Sequence, residues 1–198
     1  CGFFQPAQEF VNSFRTSGGL PLLDGSYNND PVKSDQGLKP SDPFTEDTGP
    51  LDPRLDWSAG RRGIPYWDWG VHTGSDWVRD QSYAGPYSPK KQVYKKSQED
   101  LFTETSSWTS GFTANGYRMI RFADVLLLLA ECQIETGDLP GALANINLVR
   151  ARAANPAGYV KEADGVTNAA NYVISEYPSF PDADYARKAL RMERKLEL

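Results

Sequence analysis

The chain has 198 residues, of which 39% are hydrophobic, and a formal net charge of -5. Nucleic-acid binding requires a clustered basic surface, and here Lys and Arg are spread along an acidic chain, which disfavours that class. The longest apolar run, residues 125–130, is far shorter than the about 20 residues that a transmembrane helix requires. The composition predicts a globular protein with long loops.

The first predicted element is a short helix over residues 5–15. Phe10 and Phe14 recur at helical spacing, and Pro6 is favoured in a first helical turn. Residues 16–98 are then rich in turn signals such as "DGSYNNDP" and "AGPYSP". This density of Gly, Pro, Asn and Asp predicts a long irregular region.

The irregular region contains a cluster of aromatic and polar side chains between Trp57 and Tyr94. Trp and Tyr rings stack on the apolar face of a sugar, while Asp, Arg and His hydrogen-bond its hydroxyl groups. The stretch "YWDWGVHTGSDWVRD" therefore predicts a glycan site. Its candidate ligand-binding residues are Trp67, Asp68, Trp69, His72, Asp76, Trp77 and Arg79. The alternative interpretation is that the Trp rings pin the loop onto the helices.

Catalytic and metal chemistries have weaker sequence signals. Glycosidases place two carboxyl groups across the scissile bond. The Asp residues here adjoin turn residues, where Asp is favoured for local hydrogen bonding. Their spacing also singles out no catalytic pair. His72 is the only histidine, which excludes a multi-histidine zinc site. A calcium site in the acidic loops would lack the EF-hand spacing. The sequence predicts no catalytic residue, no metal site and no cofactor.

The motif "DPRL", residues 52–55, is a sharper local signal. Pro53 fixes a turn that lets Asp52 cap the residues that follow it. Arg54 can reach a carboxylate or backbone carbonyl groups. The motif predicts a structural role in preference to ligand contact.

The pattern becomes helical from residue 117 onward. Helices are predicted over residues 122–136, ending at Gly137, and over residues 139–154. Their short linker requires antiparallel neighbours, and the pair matches the tetratricopeptide helix-turn-helix pattern. Because one such pair cannot bury its apolar face alone, a partner helix is predicted over residues 182–198.

The apolar run at residues 125–130 is predicted to be the buried face of the first helix of this pair. Cys132 lies in the same pattern and is predicted to be a buried free thiol. The chain opens without Met and stops within an amphipathic pattern, so we expect a fragment of a longer protein. Cys1 is then an internal residue or, as the alternative, a lipidated start.

Four blocks of the chain resemble, in order, the SusD-like (RagB/SusD) outer-membrane nutrient-binding lipoproteins of Bacteroidota. They are "FFQPAQEFVNSF", "DPRL", "YRMIRFADVLLLLAECQIETGDLPGALANINLVRARA" and "LRMERKLEL". The third block is the most specific, because it is similar to the signature helix pair of that family. The resemblance covers the middle-to-late part of the family pattern.

The resemblance implies a mostly α-helical fold with tetratricopeptide-like helix pairs, an α-α superhelix, and a long irregular aromatic-rich loop region. Residues 1–116 would form a loop-rich segment with the ligand-binding excursion, and residues 117–198 the helical segment of one incomplete domain. The family also implies glycan capture at the outer-membrane surface, delivery to a SusC-type TonB-dependent transporter, and no catalysis. A surface lipoprotein of this kind would touch the membrane only through a lipid anchor absent from the fragment.

The sequence also leaves two other functions open. A tetratricopeptide-type adaptor would bind protein through its helical groove, and a glycoside hydrolase would cleave the glycan. The sequence does not identify the sugar or its linkage, or exclude a peptide ligand.

Overall fold

The computed structural model describes residues 4–106, 108 and 110–198. Helices dominate the regular structure of these residues, which confirms the mostly α-helical fold. The helices are α1 (Gln8–Asn12), α2 (Leu55–Ser58), α3 (Gln81–Ala84), α4 (Phe122–Glu135), α5 (Leu139–Ala153) and α6 (Ala183–Glu197). Two antiparallel strand pairs are β1 (Thr16–Ser17) with β2 (Leu20–Pro21), and β3 (Ala59–Gly60) with β4 (Ser88–Pro89). None of the described helices combines the length and apolarity needed to cross a membrane.

The first helix is shorter than the sequence predicts, because the chain turns away after Asn12. Arg15 is buried, where the sequence predicts it at the end of a helix, and it pairs with Asp47 at 2.6 Å. A β-bridge also joins Arg15 to Leu51. These long-range contacts outweigh the local helical periodicity.

Helices α4, α5 and α6 pack around one apolar core. Gly137, at φ +86°, terminates α4 in the left-handed region, and Asp138 starts α5 by accepting a hydrogen bond from the N–H of Gly141 at 2.9 Å. These two residues reverse the chain within a short linker. The buried core side chains are Leu127, Ala130, Ile134, Ala142, Ile146, Val149, Tyr177, Phe180, Ala186, Ala189 and Leu190.

The leucine run of α4 is only partly buried, so the prediction of a buried face over the whole run is wrong. Leu127 and Ala130 are fully buried, whereas Val125, Leu128 and Leu129 are 47%, 47% and 48% exposed. A helix has about 3.6 residues per turn, so six consecutive apolar residues point in all directions. Packing with α5 and α6 covers only one side of α4.

Cys132 is exposed, which corrects the prediction of a buried thiol. It lies four residues after Leu128 and three after Leu129, so it shares their exposed side of α4. Cys1 lies outside the described residues.

Helix α6 connects the helical core to a second apolar core. Leu190 packs in the first core, whereas Met192 and Leu196 pack with side chains of the loop-rich region, among them Phe14 and Leu55. The irregular region is therefore packed on α6 and carries its own buried cluster.

A buried ion cluster fastens the "DPRL" turn to the helices. Arg54 donates to Asp52 at 2.6 Å and to Glu193 of α6 at 2.8 Å, and Arg150 of α5 also pairs with Glu193. All four side chains are at most 6% exposed. This geometry confirms the structural role predicted for the motif. It also joins two of the family-like blocks, "DPRL" and "LRMERKLEL".

Candidate functional site

Four of the seven predicted ligand-binding residues line one open pocket of about 320 Å³, which we call the small pocket. The structure brings together Trp69, Asp76, Trp77 and Arg79 there. The remaining wall is formed by Tyr66, Val78 and Ser88. Val78 and Ser88 were not predicted, and no sequence pattern identifies them, because Ser88 reaches the pocket only through the pairing of β4 with β3.

A tight chain reversal over residues 65–71 positions the first of these rings. Pro65 and Val71 form an antiparallel bridge, and the N–H of Tyr66 donates to the carbonyl oxygen of Gly70 at 2.8 Å. Trp67 adopts φ +52°, a left-handed conformation that is uncommon for a bulky residue. The reversal sends the rings of Trp67 and Trp69 to different pockets.

Trp77 is held by two supporting rings. Its indole makes edge-to-face contacts with Tyr66 and His72, with centroid distances of 5.7 and 5.1 Å. Tyr66 donates its hydroxyl to the carbonyl oxygen of Pro89 and packs directly on Gly60, where an added Cβ would lie 2.5 Å from the ring. The β3–β4 pair is therefore the base of this aromatic stack.

His72 lies beneath the small pocket and not on its surface. The ring is 1% exposed, and its two nitrogens are occupied: Nδ1 accepts from the N–H of Gly74 at 3.0 Å, and Nε2 lies 2.9 Å from Ser88 Oγ. Because Nδ1 accepts, Nε2 carries the proton in the neutral ring. Burial and the nearby Lys90 ammonium lower the pKa of His72 to about 4, so the ring is neutral at physiological pH.

Trp69 is fixed by a separate contact. Its Nε1 donates to the carbonyl oxygen of Tyr94 at 3.1 Å, and the two rings meet edge to face at 5.8 Å. The indole remains partly exposed. Both tryptophans of the small pocket are thus held in place by protein contacts while part of each ring remains accessible.

Asp68 holds the reversal against the residues that follow Tyr94. Its carboxylate accepts backbone N–H bonds from Lys96 at 2.6 Å and from Ser97 at 2.9 Å. Desolvation raises the pKa of Asp68, but the hydrogen bonds from Ser97 and Lys96 outweigh it and bring the pKa to about 2. Its oxygens are directed at the backbone, and Asp68 does not line the small pocket.

Asp76 and Arg79 provide the polar rim of the small pocket. Both are exposed, and neither forms an ion pair with any residue that the structure describes. Asp76 offers carboxylate acceptors, and Arg79 offers guanidinium donors. Together with the two indoles, they form a surface that matches the apolar face and the hydroxyl rim of a sugar.

Trp67 lines a second concavity of about 980 Å³, which we call the large pocket. Its ring meets Trp57 edge to face at 5.2 Å, and its Nε1 donates to the carbonyl oxygen of Lys90 at 3.3 Å. Of the seven predicted residues, four line the small pocket and Trp67 lines the large pocket. The other two, Asp68 and His72, support the surrounding structure.

Comparison with known proteins identifies the family of the chain. No curated protein matches the chain. The family model described as the SusD family matches residues 1–198, the whole chain, including the helical core and the small pocket. The family is one of binding proteins that take up glycans as nutrients. Since the match covers every residue, the chain belongs to the SusD family.

Proposed function

We propose that this protein binds an oligosaccharide in the small pocket and delivers it to a SusC-type TonB-dependent transporter. The observation that carries the proposal is that two partly exposed indoles, Trp69 and Trp77, share one concavity with Asp76 and Arg79. Neither of these charged side chains forms an ion pair among the described residues. Membership in the SusD family supports glycans as the ligand class.

The size of the small pocket limits what it holds. Its volume of about 320 Å³ is at the lower end of the range of roughly 300–1,000 Å³ for small-molecule sites. That space accommodates about one or two sugar rings, with the rest of an oligosaccharide extending into solvent. The free energy of each contact is modest, so we expect dissociation constants that are roughly micromolar or weaker.

The composition of the pocket favours binding over hydrolysis. Asp76 is the one carboxylate among the described residues of its wall, whereas glycosidases use two carboxyl groups. The oxygens of Asp68, the nearest predicted alternative in sequence, are engaged by backbone N–H groups. These features support a non-catalytic role.

The proposed location is the outer-membrane surface, with attachment through a lipid anchor. Membership in the SusD family supports that location. Direct evidence would come from surface labelling of cells and from co-purification with a TonB-dependent transporter.

The test is a glycan array followed by calorimetry on two substitutions. Trp69→Ala and Trp77→Ala should each weaken the binding of an array-selected oligosaccharide by about tenfold or more, because each removes a stacking face. Trp108→Ala is the matched control, since this tryptophan is 92% exposed and lies outside both pockets. Unchanged affinity in both pocket variants would contradict the proposal.

A protein adaptor is the second candidate, because α4 exposes apolar side chains. Val125, Leu128 and Leu129 are each about half exposed and adjoin one another on the helix. An adaptor predicts that Leu128→Asp abolishes co-purification of a protein partner. It also predicts that the glycan array shows no specific ligand, which is the outcome that separates the two candidates.

A further inference from the structure

The large pocket differs from the small pocket in charge. Trp57 and Trp67 provide aromatic surface, as in the small pocket, but the polar wall is basic and contains Lys91, Lys95, Arg118, Arg121 and Arg152. Asp124 is the acidic side chain among its described lining residues, and Asp124 pairs with Arg194 at 2.9 Å. The wall therefore carries an excess of positive charge.

Part of this charge is compensated by the protein itself. Arg121 and Arg152 both pair with the buried carboxylate of Glu197, the latter at 2.6 Å. Lys91 Nζ donates to the backbone carbonyl oxygen of Glu197 at 3.1 Å. Each of these three cations thus has a partner in the protein. The single negative charge of Glu197 does not fully neutralise the two guanidinium groups of Arg121 and Arg152.

Two cations of the large pocket remain uncompensated. Lys95 and Arg118 are exposed and form no ion pair with any other residue in the described part of the chain. The Lys95 ammonium lies over the Trp67 ring, 5.8 Å from its centroid. A ligand in contact with Trp67 would therefore be close to this positive charge.

The pKa of Lys91 is lowered chiefly by burial and further by neighbouring cations. Burial lowers its pKa, Glu197 raises it, and Arg121, Arg54 and Arg152 lower it further, to about 8. Lys91 is therefore still charged at neutral pH, although it is surrounded by other cations. An anionic group entering the pocket would relieve this repulsion.

We propose that the large pocket binds an acidic sugar, one that bears carboxylate or sulfate groups. The rings of Trp57 and Trp67 would contact the sugar, and Lys95 and Arg118 would pair with its acid groups. This inference rests on the proposed function, since it takes the ligand to be a glycan, but it concerns a different pocket and a different charge class. The net charge of -5 disfavours long polyanions such as nucleic acid, because they would also meet the acidic remainder of the surface.

The test uses three tetrasaccharide probes and calorimetry on the purified protein. The probes are an oligogalacturonate, its fully methyl-esterified form, and a sulfated tetrasaccharide. The acidic probes should bind at least about tenfold more tightly than the neutral ester, because each charge-assisted hydrogen bond is strong. The tighter of the two acidic probes identifies the acid group. If neither acidic probe binds more tightly than the ester, the proposal is overturned.

A pair of substitutions locates the site. Lys95→Gln with Arg118→Gln should reduce the affinity for the acidic probe about tenfold and leave the neutral ester unaffected. Lys33→Gln with Lys188→Gln removes the same charge from exposed positions outside the pocket and should have little effect. Equal losses in the two double variants would contradict a defined site.

A salt titration of the wild-type protein gives a readout that is independent of folding of the variants. Binding of the acidic probe should weaken as NaCl is raised, whereas binding of a neutral oligosaccharide should not. The two proposals also fail separately. Trp69→Ala tests the small pocket with a neutral ligand, while the Lys95 and Arg118 pair tests the large pocket with an acidic one.

Discussion

The tryptophans of the small pocket are held in place by neighbouring rings. Trp77 is fixed by Tyr66 and His72, and Trp69 is fixed by Tyr94. A ring that is already immobile loses little conformational entropy when a sugar stacks on it. If the small pocket binds a sugar as proposed, the supporting residues should contribute to its affinity without touching it.

The buried neutral state of His72 predicts a dependence of stability on pH. Its pKa is about 4 in the folded protein and near 6.5 in an unfolded chain, so the unfolded state binds more protons between these values. The stabilising contribution is complete above about pH 6.5 and is lost as the pH falls towards about 4. Between pH 7.5 and pH 5 the loss is about 2 kcal/mol.

Urea unfolding of the wild type and of His72→Gln at both pH values measures this contribution. The wild type should lose about 2 kcal/mol more than the variant on going from pH 7.5 to pH 5, because Gln does not titrate. Other titrating groups affect both proteins alike and cancel in the comparison. Equal losses would show that His72 is not held neutral.

Composition predicted the aromatic character of the site, but not the role of each residue. The placement of His72 depends on Ser88, and that of Asp68 depends on the backbone of Lys96 and Ser97. These partners lie 16 to 29 positions away in sequence. The local sequence pattern contains no information on such contacts. It therefore does not distinguish the aromatic residues exposed in the pocket from the residues that support them.

At the scale of elements, helical periodicity predicted α4, α5 and α6 to within a residue or two at each end. The predicted helix over residues 139–154 is observed as Leu139–Ala153, with a cap by Asp138. Exposure within α4 was harder to predict, because its six consecutive apolar residues have no hydrophobic face that sequence can identify. Only the packing with α5 and α6 shows that Leu127 points inward.

Adjacent leucines of α4 provide a matched test of this packing. Leu127→Ala should lower the free energy of unfolding by about 2–5 kcal/mol, because it removes a fully buried side chain and leaves a cavity. Leu128→Ala makes the same chemical change at a residue that is 47% exposed and should cost about 1 kcal/mol or less. Chemical denaturation of both variants measures the difference, and equal costs would refute the packing described.

At the scale of the whole molecule, one buried ion cluster joins the loop-rich region to the helices. Glu193 of α6 forms ion pairs with Arg54 of the "DPRL" turn and with Arg150 of α5. Arg54 and Glu193 are 139 positions apart, so sequence identified each motif but not their contact. The helices and the loop-rich region are in this way parts of one packed unit.

Removing the shared carboxylate should destabilise the protein strongly. Glu193→Ala leaves two buried guanidinium groups with less compensation, and we expect a loss of about 3–5 kcal/mol in the free energy of unfolding. Glu131→Ala is the control, because this exposed glutamate of α4 forms no ion pair with the described residues. A Glu193 variant as stable as the control would mean that the cluster does not hold the two regions together.

The proposed glycan binding depends on contact of a sugar with the indoles of the small pocket. A crystal structure of the protein with an array-selected neutral oligosaccharide tests it most directly. We expect a sugar ring stacked on Trp69 or Trp77, with hydroxyl groups hydrogen-bonded to Asp76 or Arg79. An oligosaccharide bound elsewhere, with the small pocket filled only by solvent, would contradict it.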